Sequence, residues 1–313
     1  MGVEGVVGAF ERRGATRGRR EGVHGFLRAC VRLVRAKPLG ALGGVLVVGL
    51  VATAVLAPVL APYDPIRIKS ADRLQPPSLR YPLGTDDFGR DILSRVIHGA
   101  RISMFLGLGA VGISTCLATV IGVLSGYYGG RIDTVVQRCI DTLMAFPGLI
   151  VLLTIMAMLG QGLGNVILAL GIGAVAGNAR IIRSAVLAIK ENQYIEVARA
   201  IGCPEWQIIA RYILPNIAAP IMVVATLGLG VAVLSESSLS FLGFGVPPPT
   251  PSWGAMLSGS GRTYMLQAPW MAVFPGIAIS LAVFGFNMLG DALRDLLDPK
   301  LRGGAPSAPS HVP

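Results

Sequence analysis

The sequence predicts an all-α fold, a polytopic membrane bundle of six transmembrane helices, and three observations predict it. Hydrophobic residues make up 53% of the 313 and charged residues only 14%, which makes a bilayer rather than water the natural solvent. Apolar runs long enough to cross that bilayer recur along the chain, separated by short polar segments. Glycine is abundant, at 41 residues, while aromatics are 6%. That balance suits helices approaching through small residues better than a barrel with aromatic girdles. The net charge of +10 does not point to nucleic acid, because Lys and Arg gather at the termini and between the apolar runs, where they orient membrane proteins. Cys30, Cys116, Cys139 and Cys203 show no CxxC or Cys/His spacing, so neither a metal site nor a disulfide framework is expected.

Taken in order, the first span is Leu39 to Ala61, 23 residues without a charge, after a cytoplasmic basic tail over 1–38. Its length and its long basic leader distinguish it from a secretory signal. An extracytoplasmic loop over 62–101 follows. The second span is Ile102 to Gly130, closed by the turn-like Gly126-Tyr127-Tyr128-Gly129-Gly130. Thr142 to Ala179 is too long for one crossing and is divided by the glycine-rich segment from Gly160 to Asn165, giving spans three and four as a hairpin. Span five is Tyr212 to Ser235, and span six lies within Thr263 to Gly290. The core of five helices thus covers 102–293, with a second tail over 294–313. Pro147-Gly148 and Pro275-Gly276 weaken backbone hydrogen bonding locally and predict kinks in spans three and six.

An even number of spans puts both termini on one side, and the basic residues say which. With the termini inside, cytoplasmic segments hold 19 Lys and Arg against 8 outside. Before the first span, Phe26, Leu27, Cys30, Val31, Leu33 and Val34 fall on one side of a helix and Arg28, Arg32 and Arg35 on the other. This is the pattern of an interfacial amphipathic helix, preceded by a disordered stretch over 1–22.

The cytoplasmic segment between spans four and five, residues 183–215, is too long for a plain turn and locally well specified. It reads as two short helices: Glu191 to Ile201, ended by Gly202 in a left-handed conformation, and a second with Pro204 at its first position, closed by Pro215. Small Ala198 and Ala200 beside charged Glu196 and Arg199 offer a low-profile face able to enter a groove on a partner. Glu196-Val197-Ala198, Gly202 and Leu214-Pro215 resemble the Glu-Ala-Ala and later Gly loop of ABC importer permeases, with Val197 for the usual Ala. Three further stretches, Leu83 to Asp91, Ser240 to Pro249 and Gly290 to Asp295, resemble the C-type permease of dipeptide and oligopeptide importers. The resemblance covers about residues 25–302.

The resemblance implies a permease of the type I importer fold in a bacterial inner membrane. Its implied partners are a second homologous permease, two cytoplasmic nucleotide-binding ATPases, an extracytoplasmic binding protein and membrane lipid. It also assigns the loop to docking in an ATPase cleft, and dipeptides or short oligopeptides as cargo, with nickel complexes or other small solutes as the alternative. The chain has no GxxxxGK[ST] run, so it is expected to bind no cofactor and perform no catalysis itself; ATP and Mg belong to the partner ATPases.

Other candidate residues have plainer readings. Asp86, Asp87, Arg90 and Asp91 cluster in the outer loop without EF-hand spacing, and are read as a folded loop able to touch the binding protein rather than as a calcium site. Glu236 is the one acid within a long apolar stretch, and two readings stand for it: a gate or pathway residue, or a structural carboxylate bonded by Ser235, Ser237 and Ser238 near the outer end of span five. A secondary transporter, the remaining alternative, would require intramembrane charges and an internal repeat, and apart from Glu236 the sequence supplies neither; a membrane enzyme would require a paired acid, metal or nucleophile constellation, which is not found.

Overall fold

The computed structural model describes residues 38–297, so the basic tail, the interfacial helix read over Phe26 to Val34 and the final residues lie outside the described residues. Helices α1 (Pro38–Val55) and α2 (Ala57–Leu60) form the first crossing. The chain bends between them at Leu56, and Pro58 sits in the first turn of α2, where its missing N–H has no intrahelical partner to lose. The loop that follows holds a single 3₁₀ turn, Ser70–Asp72.

Helix α3 (Ile92–Tyr128) has 37 residues and at 1.5 Å per residue reaches about 55 Å, well beyond one crossing. It begins ten residues before the expected Ile102, because Asp91 caps it, its carboxylate accepting from the Ser94 amide at 2.8 Å. The turn after it differs from expectation too. Gly129 takes φ +67°, and the chain enters α4 (Gly130–Met144) rather than a third span directly. Then comes α5 (Gly148–Leu159), bent by 90° from α4, with Pro147 at its N-cap. Arg131, Asp133, Arg138 and Asp141 make α4 amphipathic, so the third crossing is broken, and the expected weakness at Pro147-Gly148 becomes a full break.

Helix α6 (Leu163–Lys190) is followed by the short α7 (Gln193–Ala200) and α8 (Glu205–Ile208). A π-turn over Ile209–Ile213 joins α8 to α9 (Leu214–Phe241) as one 37-residue helix. Pro215 therefore does not close the second short helix. Its ring and missing N–H disturb the normal i→i−4 ladder, and the wider turn, in which the Leu214 amide bonds the Ile209 carbonyl, absorbs the mismatch without a break. Short helices α10 (Trp253–Leu257) and α11 (Ser260–Thr263) precede α12 (Trp270–Leu297), which continues through buried Pro275 and four residues past the expected end of the core.

Five of these helical stretches are long and apolar enough to cross a membrane, and the bent pair α4–α5, taken as one span, makes six. No strand occurs among the described residues, only an isolated bridge between Thr85 and Asp91. The end carrying residues 61–91 and 242–269 is called upper here, and the end carrying α7 and α8 lower. Helices α3 and α6 pack along one another, and Gly122 sets their closeness: a Cβ there would stand 2.8 Å from the Ala179 carbonyl oxygen. Helix α12 lies between α1 and α9. The upper segments form a folded cap. Trp270 donates to the Thr85 carbonyl at 3.1 Å, Trp253 to that of Val96 at 2.9 Å, and Arg73 to the Tyr264 hydroxyl at 2.7 Å.

Candidate functional site

At the lower end, α7 terminates as the sequence reading requires. Gly202 takes φ +80°, its amide bonds the Arg199 carbonyl at 2.9 Å, and the Cys203 amide bonds that of Ala198 at 3.0 Å; together these form a Schellman cap. Pro204 differs by one position, standing as the N-cap of α8 rather than its first residue.

Which side chains face outward also differs from expectation. Ala198 does not lie on an exposed docking face. With Ile195 it is buried against Tyr127, Val186, Ile213 and Ile217, fixing α7 to the ends of α3, α6 and α9. A larger residue there would clash with this chain's own core. The exposed face is instead Glu196, Val197, Arg199, Ala200, Ile201, Pro204, Glu205 and Trp206. Ile201 and Trp206 are each 72% exposed and Val197 59%, so this lower unit presents an apolar knob to solvent. Ile201 and Trp206 were not among the residues singled out from sequence, although a Trp directly after a helix-starting Pro-Glu pair was a usable signal. Leu214 and Pro215 lie at the start of α9, beyond the π-turn and exposed. Arg199 places its guanidinium 5.3 Å from the ring centroid of Tyr127, and Lys190 donates to the Tyr127 carbonyl at 2.5 Å, tying the unit further to the end of α3.

Two arginines close the lower half. Arg183 grips Asp133 of α4 with two nitrogens, and Ser125 of α3 donates to the same carboxylate at 2.5 Å. Arg180 bonds Asp141 of α4. The charges at the end of span four are therefore satisfied by the helix that sequence analysis did not separate.

At the upper end, Glu236 is buried on α9. Its Oε1 accepts from the hydroxyls of Ser240 and Ser252, both at 2.7 Å, while Ser237 approaches Oε2 at only 3.5 Å. Of the serines named from sequence, Ser238 bonds the Leu234 carbonyl instead, and Ser235 lines a cavity between the helices. Ser252 belongs to the upper loop, so Glu236 ties that loop to the end of span five.

The acidic cluster is also turned inward. Asp86 lies between Arg90, at 2.6 Å, and Arg95, at 3.7 Å, and accepts from the amides of Phe88 and Arg90; Asp91 caps α3. Asp86 and Asp91 are buried, and Asp87 and Arg90 are partly covered. Asp86 and Asp91 thus serve the loop's own ion pairs and the cap of α3, and exposed Phe88 marks what this turn offers at its surface.

Between α3, α5, α6 and α9 lies a cavity of about 500 Å³. Its wall is apolar apart from Ser114, Asn178, Ser235 and Ser238, and no charged side chain lines it. Among its lining residues, Leu149 of α5, Ile181 of α6 and Val231 and Leu234 of α9 are exposed.

The described residues thus form a polytopic bundle with an uncharged cavity among its helices and an exposed apolar knob at one end. Residues 118–303 match the family described as binding-protein-dependent transport system inner membrane component, and residues 26–77 match the N-terminal TM domain of oligopeptide transport permease C. The chain belongs to this family of multi-pass membrane permeases of ABC importers. It is 41% identical over 275 residues to the dipeptide transport system permease protein DppC of Alkalihalophilus pseudofirmus, covering 88% of this chain and 90% of that one. It is 43% identical over 260 residues to the glutathione transport system permease protein GsiD of Pectobacterium atrosepticum, covering 83% and 86%. A putative peptide transport system permease protein of Brucella suis biovar 1 is 42% identical over 271 residues, covering 87% and 90%.

Proposed function

We propose that this chain forms half of the translocation pathway of an importer for dipeptides or short oligopeptides, driven by ATP hydrolysed, with Mg, in separate subunits. The observation that carries the reading is that relatives above 40% identity, aligned over more than four-fifths of this chain, are named for dipeptides, peptides and glutathione, itself a tripeptide. Those names favour peptide cargo over nickel complexes. A second, similar permease closes the open side of the cavity, two ATPases dock on the lower end, and a soluble binding protein delivers cargo to the upper cap.

In this reading both termini and residues 183–215 are cytoplasmic, which the excess of basic residues at the lower end supports. The coupling surface is Glu196, Val197, Arg199, Ile201, Gly202, Pro204 and Trp206, with Ala198, Leu214 and Pro215 joining that surface to the spans. Because α7 shares one buried cluster with the ends of α3, α6 and α9, a push on the knob moves three spans together rather than bending the loop alone. Glu236 holds the upper loop at the far end of α9 and does not transfer protons, since ATP supplies the driving force. The test is uptake of labelled di- and tripeptides by vesicles containing the four-subunit complex with its binding protein. ATP-dependent accumulation supports the reading, and stimulated hydrolysis without peptide accumulation refutes it.

A further inference from the structure

The cavity between α3, α5, α6 and α9 contains one carboxamide, and that group is half satisfied. Asn178 of α6 donates from Nδ2 to the hydroxyl oxygen of Ser114 on α3 at 2.8 Å. Ser114 is buried, so it fixes the orientation of the amide plane. The second Nδ2 hydrogen and Oδ1 of Asn178 have no partner among the described residues, and Asn178 lines the cavity. Of the other polar side chains there, Ser238 spends its hydroxyl hydrogen on its own helix. The nearest charges along α6, Arg180 and Arg183, are held by Asp141 and Asp133.

From this geometry we infer that Asn178 is a substrate-contacting residue that pairs with a peptide group of the cargo, Oδ1 accepting from a backbone N–H and Nδ2 donating to a backbone C=O. A carboxamide and a peptide unit carry the same donor and acceptor, and two such groups meet edge to edge with both hydrogen bonds made. In a wall whose other polar groups are only the hydroxyls of Ser114, Ser235 and Ser238, an uncompensated peptide group would be costly, so one fixed amide with both a donor and an acceptor changes the energy of passage substantially. The absence of charge points the same way. With no ion partner in the lining, no charge of the cargo is recognised there, whereas an amide recognises the one feature that all short peptides share. The cavity is of a size that holds a small ligand. Ser114 acts through Asn178 and is a positioning residue. This inference rests on the peptide reading of the cargo, and the test separates the two.

The experiment uses the complete reconstituted importer with its binding protein and two probes, tri-alanine and the same molecule with its central amide replaced by an ester. The ester removes one N–H donor and weakens the carbonyl acceptor. Because the same binding protein serves every assay, its own preference between probes cancels when variants are compared with the parent. Asn178→Leu is expected to lower tri-alanine uptake about tenfold, the scale expected when a peptide group of the cargo is left unpaired. Copurification of the variant complex with its ATPases should match the parent, since Asn178 stands twelve residues, about 18 Å of helix, before the lower end of α6. The preference for amide over ester in the parent should fall towards one in the variant, an effect that a packing defect would not produce. Ser114→Ala should move both readings in the same direction but less far. Asn178→Ala gives the same comparison should the leucine variant not assemble. Parent-level uptake in Asn178→Leu or Asn178→Ala, or an unchanged amide preference, would overturn the inference while leaving the peptide reading intact. A parent complex that hydrolyses ATP on stimulation yet imports neither probe would overturn the peptide reading, and this inference with it.

Discussion

Arg183 of α6 and Asp133 of α4 form a two-pronged ion pair, Nε to Oδ1 at 2.6 Å and Nη2 to Oδ2 at 2.5 Å, with Ser125 of α3 donating to the same carboxylate. Three helices thus meet on one carboxyl group. A second pair, Arg180 with Asp141, lies eight residues further along α4 but only three back along α6, so α4 runs across α6 rather than beside it. The broken third crossing is anchored by charge where it cannot be anchored by a continuous helix.

Removing that anchor should cost stability without directly touching the cavity. Asp133→Ala leaves Arg183 partly covered and unpaired, and about 1–3 kcal/mol is the expected loss. The check is a lowered thermal midpoint of the purified complex in detergent. Exchanging the pair as Asp133→Arg with Arg183→Asp should recover part of the loss. If the double variant is no more stable than the singles together, the pair is not the anchor.

Glu236→Gln should preserve uptake to within about twofold, because a carboxamide oxygen can still accept from Ser240 and Ser252. Glu236→Leu should behave differently, leaving both hydroxyls buried without their acceptor at about 1–3 kcal/mol. Lower yield of the leucine variant beside a normal glutamine variant would establish the carboxylate as a structural tie. Complete loss of uptake in Glu236→Gln at normal abundance would assign it to the pathway instead.

The orientation is checked by single-cysteine labelling in whole cells with a reagent that does not cross the membrane. Ser78 in the upper loop and Glu205 at the lower end are both exposed, so accessibility within the chain is matched. A cysteine at 78 should react and one at 205 should be protected until the cells are opened. The reverse pattern would invert the bundle.

Coupling makes the sharpest prediction. Trp206→Ala and Ile201→Ser remove exposed apolar surface that contributes nothing to this chain's core, so span insertion and thermal stability should be unchanged. Copurification with the ATPases and stimulated hydrolysis should nevertheless fall, each by tenfold or more in the double variant. Gly202→Val should give the same loss by a different route, forcing a β-branched residue to φ +80° at about 1–3 kcal/mol of local strain. Ala198→Trp is expected to destabilise the lower cluster itself and to lower the thermal midpoint. Normal assembly and hydrolysis in both Gly202→Val and the Trp206/Ile201 variant would separate this knob from ATPase docking.

Much of the molecule was legible in the sequence because span formation depends on the length and apolarity of a contiguous run. Those are one-dimensional properties, and they placed the first and fifth crossings to within a helical turn or two, whereas α3 starts ten residues earlier than expected, α6 ends eleven residues later and the third crossing is broken. Gly202 was legible for a similar reason, since a left-handed residue between two helix-forming stretches is a local demand on backbone conformation. What the sequence could not decide was direction around each helix. Ala198 and Val197 are neighbours of similar character, yet one faces the core and the other solvent, because only the packed ends of α3, α6 and α9 define which side of α7 is inside. Asp86 and Asp91 read as surface acids until Arg90, Arg95 and the start of α3 close over them. The partners of Glu236 and of Asn178 lie on other turns or other helices, at separations of 16 and 64 residues for Ser252 and Ser114. Local sequence sets each residue's conformational preference, but a hydrogen bond between distant segments exists only once burial has brought them together, and in this protein those bonds define the cavity wall and the upper tie.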